Sequence, residues 1–138
     1  MKITKSFLKD LTYQFNAAAI EVHKTLGPGL LESIYHQSLI HELKLREINF
    51  ESEHIIPVTY KGNILLSNVR CDFLVENCMV VEIKSIEEFA PVHEAQILTY
   101  MNLLKIPRGL LLNFNVKNLF HDGQKTFVNE YYTNLDEF

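Results

Sequence analysis

Residues Val69 to Lys84 read VRCDFLVENCMVVEIK, and the fold turns on how this stretch is paired. Val69, Cys71, Phe73 and Val75 alternate with Arg70, Asp72 and Leu74; after a break, Val80, Glu82 and Lys84 alternate with Met79, Val81 and Ile83. Period-two alternation rich in β-branched residues predicts two strands joined by a tight turn. Glu82 and Lys84 are two apart and share one face, which leaves Val81 and Ile83 on the other. A Glu and a Lys in so apolar a strand are costly unless they are paired or bind something.

Asp72 joins them only in one register, because a slip of one residue moves every side chain to the opposite face. A two-residue turn pairing Val75 with Cys78 sets Asp72 opposite Val81. A three-residue loop, Glu76-Asn77-Cys78, pairs Val75 with Met79 and sets Asp72 opposite Glu82. Asn tolerates the positive φ that such a loop requires. In the second register two carboxylates and a lysine share a face, which makes a site for a hard cation. Mg²⁺ takes one or two carboxylates and completes its shell with water and substrate phosphate. The alternative on the residues alone is a cross-strand Asp-Lys or Glu-Lys salt bridge.

The rest of the chain builds outward from this hairpin. Its 138 residues, 47% hydrophobic and 22% charged, suit a single domain over 1–138. No apolar run is long enough to span a membrane and the start MKITKSFLKD has no signal-peptide pattern, so the expectation is a soluble, cytoplasmic protein. Cys71 and Cys78 fit no zinc spacing and read as buried reduced thiols. A net charge of −4 argues against coating nucleic acid through bulk positive charge. It is compatible with an enzyme that meets phosphate through a metal and a few local cations.

Upstream, Leu8, Leu11, Phe15, Ala18, Ala19, Val22 and Leu26 recur at helical spacing, predicting a helix over 6–25 capped by Thr4 or Ser6 and stopped by Gly27-Pro28-Gly29. A second helix is expected over about 30–46, with Leu31, Ile34, Tyr35, Ser38, Leu39, Glu42 and Leu43 inward and Glu32 in its first turn. Residues 50–60 read as a strand whose Pro57 argues for an edge or a bulge, and Lys61-Gly62-Asn63 turns it into the strand ending at Val75. Downstream, Pro91 opens a helix to about Leu104 that carries Gln96 and Tyr100 four apart on one face. The run Gly109 to Asn113 reads as a buried strand, parallel to the earlier ones after a crossover. His121-Asp122-Gly123 reads as a turn, 125–131 as an edge strand, and 133–138 as a loose tail.

Taken together, Asp72…Glu82-Ile83-Lys84 and the order helix, helix, meander, helix, strand, strand resemble the PD-(D/E)XK nuclease superfamily. Gly29-Leu30-Leu31-Glu32-Ser33-Ile34-Tyr35 resembles the signature of its GxxExxY family, and Cys71 stands where the motif name has a proline. The resemblance covers about Leu11 to Tyr131 and implies an α/β, restriction-endonuclease-like core. It further implies a Mg²⁺- or Mn²⁺-dependent nuclease whose partner is nucleic acid, DNA in the first instance, with no membrane. Asp72 and Glu82, with the backbone carbonyl of Ile83, would be the metal ligands; Lys84 would orient the attacking water or stabilise charge, and Glu32 would support the site. Gln96, Tyr100 and Tyr35 would position substrate. Two other readings stay open. One is a non-catalytic nucleic-acid or protein binding module on the same fold; the other is a junction-resolving endonuclease acting as a homodimer.

Overall fold

A computed structural model describes residues 2–138. The hairpin at its centre has the odd-length loop. Strand β2 (Asn63–Val75) meets β3 (Met79–Lys84) with Phe73 opposite Val81, Leu74 opposite Val80 and Val75 opposite Met79. Glu76 and Asn77 both take left-handed backbone, at φ 50° and 53°, and the Cys78 N–H donates to the Val75 carbonyl at 3.0 Å. Left-handed residues at both central positions give the turn the twist that the flanking strands need. Continuing that register sets Asp72 opposite Glu82.

Burial on both faces enforces the register. Phe73, Val75, Met79, Val81 and Ile83 enter a core with the helices α1 (Lys5–Leu26) and α2 (Glu32–Leu45). Leu74 and Val80 enter a second core with Ile97, Tyr100 and Met101 of α3 (Pro91–Leu104). A one-residue slip would exchange the two sets. Strand β4 (Arg108–Asn113) follows α3 and lies parallel to β3, as the crossover pattern predicts. Gly109 allows that approach, since a Cβ there would stand 2.6 Å from Met101 Sδ.

The sheet is five-stranded and mixed, in the order β1-β2-β3-β4-β5, with β1 spanning Phe50–Tyr60 and β5 spanning Gln124–Val128. β1 is an edge strand and its register shifts between Pro57 and Thr59, so Pro57 marks both features expected of it. Thr4 caps α1, accepting from the Phe7 N–H at 3.1 Å.

Several boundaries differ from the sequence expectation. Leu31 precedes α2 and is 74% exposed, and Ile34 is also exposed; the inner face is Tyr35, Leu39 and Leu43. Leu26, at the end of α1, is exposed. The expected turn at 121–123 is one helical turn, α4 (Leu119–Asp122), and the last strand stops at Val128 before a second one, α5 (Glu130–Thr133). The C-terminal residues are tied down: the Lys5 and Ser6 N–H groups donate to the carbonyls of Asp136 and Glu137, both at 2.9 Å. Those amides begin α1 and have no partner within the helix, so the tail supplies one.

Candidate active site

At Asp72 the sheet changes character. On one side, β1 pairs β2 at Ser52–Phe73 and again at His54–Cys71, but not at Glu53–Asp72, where Glu53 turns to φ 51°. A left-handed Glu in a strand is strained and persists only where its surroundings impose it. On the other side, side chains replace the ladder. The Asp72 N–H donates to Glu82 Oε2 and the Ile83 N–H donates to Asp72 Oδ2, both at 2.8 Å. Each carboxyl thus uses one oxygen to bind the other strand's backbone and leaves its second oxygen uncommitted to the backbone. The strand also rolls here: Cys71 packs in the α3 core although Phe73, two residues on, packs beneath α1 and α2.

Glu82 is 4% exposed. Burial pushes its carboxyl well above the ordinary range; the Asp72 charge and a hydrogen bond shared with the Asp72 carboxyl raise it further, against the Asp72 amide and Lys84. Two carboxyls this close cannot both ionise without a cation between or beside them. Lys84 shares the Glu82 face and is half-buried at the end of β3. Among the described residues it forms no ion pair, so the cross-strand salt bridge that the sequence allowed is not formed.

Two further elements reach this place. Glu32 opens α2, and its carboxyl is raised by partial desolvation, lowered by Lys84 and raised again by Asp72, so it lies within the field of both. Gln96 Nε2 donates to Tyr100 Oη at 2.9 Å on α3. Burial raises the Tyr100 phenol, and the Glu82 and Asp72 charges add to that rise. Glu32 and Tyr100 thus both feel the Asp72 charge, with Lys84 and Glu82 in the same electrostatic neighbourhood and Gln96 attached through Tyr100, although these residues come from four separate elements.

Tyr35 does not join them, which corrects its expected place among the substrate-positioning residues. Its side chain is 0% exposed and stacks on Phe114 at 4.5 Å between ring centroids. Its hydroxyl donates to the Gly27 carbonyl at 2.5 Å and accepts from the Leu30 N–H at 3.2 Å. It thereby pins the loop before α2, in which Gly29 adopts φ 95°. Ser85 Oγ donates to the Leu30 carbonyl at 2.7 Å and ties that loop to the end of β3. Asn113, 2% exposed, holds the same end: its Oδ1 accepts from the Ile86 and Asn115 N–H groups, both at 3.1 Å, and its Nδ2 donates to the Ile86 carbonyl at 2.9 Å. Neither Ser85 nor Asn113 stood out in the sequence. The one available signal for Asn113 was an amide closing an otherwise apolar run.

The donor set suits a hard cation: two carboxyls on one face, one of them held protonated by its burial and then by the other's charge. Among the described residues no group of three or more His, Cys, Asp and Glu side chains is arranged to hold a metal ion, so any such site here uses two carboxylates. The groove of about 390 Å³ between α1 and α2, lined by residues such as Val22, Leu26 and His41, lies away from these groups.

The family model described as PD-(D/E)XK nuclease superfamily matches residues 9–126, a span from α1 through β5 that includes every residue of this site. No curated protein and no solved structure gives a significant match. The mixed sheet with its N-terminal helices and β3-α3-β4 unit is consistent with the restriction-endonuclease-like core of that superfamily.

Proposed function

The chain belongs to the PD-(D/E)XK nuclease superfamily, and on that premise we propose that it is a Mg²⁺- or Mn²⁺-dependent nuclease of the GxxExxY family that hydrolyses phosphodiester bonds in DNA. The observation that carries this reading is the pairing of Asp72 with Glu82 across an odd-length hairpin, with the Glu82 carboxyl buried. Asp72, Glu82 and the Ile83 carbonyl would hold the cation, which supplies a water of lowered pKa and polarises a phosphoryl oxygen.

The chain's own residues do the rest. In the metal-free site burial and the Asp72 charge keep a proton on Glu82, and releasing it leaves two negative charges to face the cation. Lys84, free of a carboxylate partner, brings positive charge to the face where negative charge develops on the phosphate. Glu32 lies within the field of Lys84 and adds a negative charge on that side of the site. Because Gln96 donates to the Tyr100 oxygen, the phenol proton is free to be donated to a phosphate oxygen. Tyr35 acts at a distance, by holding the loop that carries Gly29 to Glu32. Covalent catalysis by a thiol is disfavoured, since burial pushes Cys71 and Cys78 up to about 12, far from thiolate.

Incubation with supercoiled, linear, single-stranded and four-way-junction DNA, and with RNA, in Mg²⁺, Mn²⁺ or EDTA tests this reading. Cleavage of DNA that needs the cation, disappears in Asp72→Ala and is strongly slowed in Lys84→Met is the expected result. Cleavage at the wild-type rate in EDTA or in Asp72→Ala contradicts it. Metal binding without cleavage of any substrate favours the non-catalytic module instead.

A further inference from the structure

Arg108 begins β4 opposite Met79, three residues along the β3–β4 ladder from the row of Glu82 and Leu111. Leu110 and Leu112 face α1 and α2 while Leu111 faces α3, so Arg108 belongs to the α1 face and Glu82 to the other. Nothing in the active site explains this arginine.

Its surroundings are unusual for a half-buried cation. Arg108 Nε donates to Thr12 Oγ1 at 3.0 Å, and Thr12 Oγ1 itself donates to the Leu8 carbonyl at 2.7 Å. The guanidinium lies 6.0 Å from the centroid of the Tyr132 ring. Among the described residues it makes no ion pair, and neither terminal nitrogen of its fork makes a hydrogen bond. Partial burial lowers the Arg108 pKa, while the terminal nitrogens of its fork stay open to solvent and so to a ligand. An anion docked on the fork would supply the missing charge in the bidentate geometry that arginine offers to oxyanions.

Arg108 and Lys9 both line a cavity of about 480 Å³ along α1, within the range of small-molecule sites. Ala17 and Ile20 give it an apolar wall, Gln124 contributes an amide, and the exposed rings of Tyr13 and Phe120 also line it. A bare oxyanion would leave most of that volume empty; a flat, partly apolar body attached to the anion would fill it. A second cavity of about 460 Å³ shares Lys9 and Arg108 but includes Glu137, which lies 3.8 Å from Lys5, so the first is the better anion site.

We propose that the cavity along α1 binds a nucleoside monophosphate, with the phosphate on the Arg108 fork and Lys9 and the base against Tyr13 and Phe120. Arg108 provides the paired donors, Lys9 a second charge, and the two aromatic rings the stacking surfaces that accept any base. Gln124 has both a donor and an acceptor to offer a base edge. This site uses none of the residues proposed for nucleolysis and lies on the opposite face of the sheet.

Calorimetric titration in EDTA tests it with three probes: adenosine 5′-monophosphate, adenosine and inorganic phosphate. The expected result is that the nucleotide binds at least about tenfold more tightly than either fragment. Lys9→Glu, a surface change, should weaken the nucleotide by about tenfold or more, Tyr13→Ala should weaken adenosine and nucleotide alike, and Asp72→Ala should bind as wild type. Arg108→Gln should abolish binding; its circular dichroism and melting curve show whether it has folded, and Lys9→Glu carries the test if it has not. The proposal is overturned if the nucleotide binds no better than phosphate, if Lys9→Glu binds it as wild type does, or if Asp72→Ala removes binding.

Discussion

From Phe73 to Met79 the β2–β3 hairpin is closed by backbone pairing and covered with apolar side chains on both faces; at Asp72 and Glu82 the same two strands are joined through their carboxyls. The first half is ordinary packing. Phe73 lies stacked on His36 at 4.5 Å and edge-on to Phe15 and Phe50 at 5.9 and 5.8 Å. The second half places two acids side by side, and burial and then the Asp72 charge raise the Glu82 carboxyl. Register is chosen by the apolar half and imposed on the polar half. Asp72 faces Glu82 because Phe73 and Leu74 each have only one core to enter.

Loss of the packed half should have the largest effect on stability. Phe73→Ala leaves a cavity among three rings and is expected to cost about 3–5 kcal/mol in chemical denaturation. Lys84→Met should do the reverse, leaving the denaturation midpoint close to wild type while slowing cleavage by about 10²–10³-fold. Comparable stability losses in both variants would mean that the two halves are not distinct.

A pH titration sharpens the contrast. A carboxyl held above its ordinary value of 4.5, to about 9 for Glu82, keeps its proton more tightly in the folded chain. The stability this contributes is intact below about 4.5 and fades as the pH climbs towards 9. Metal-free protein should therefore lose stability between pH 5 and 9, and Glu82→Gln should lose less over the same range. A Glu82→Gln protein with the same pH slope as wild type would place the proton elsewhere.

The smallest effect concerns the loop before α2. Tyr35→Phe removes the donor to the Gly27 carbonyl but keeps the stack on Phe114. It should cost about 1 kcal/mol and lower cleavage modestly by loosening the placement of Glu32. A loss of activity as deep as that of Lys84→Met would return Tyr35 to the reacting groups.

The hairpin and both cores were legible because alternation and helical spacing report which side of an element is buried. The odd loop was legible as one of two registers, with Asn77 as the hint. What could not be read depends on partners remote in sequence. The Tyr35 hydroxyl is bound by a loop that Gly29 folds back upon it, and the Lys5 and Ser6 amides are bound by carbonyls 131 residues later. Neither leaves a periodic trace. Leu31 and Ile34 fit the helical pattern, yet α2 begins after Leu31 and turns both residues outward. The unusual backbone of Glu53 has no signal in a Glu residue, whereas a glycine there would have announced it. Arg108 passed unnoticed because a single arginine before an apolar run looks like a solvated strand end.

Thermal unfolding with and without Mn²⁺ reports whether Asp72 and Glu82 hold a cation. A cation that binds only the folded chain stabilises it by about 2.7 kcal/mol at a hundredfold excess over Kd. Mn²⁺ should raise the melting temperature of wild type and of Lys84→Met alike, since lysine is not a ligand, and should leave Asp72→Ala nearly unmoved. Equal shifts in wild type and Asp72→Ala would contradict a metal site between Asp72 and Glu82.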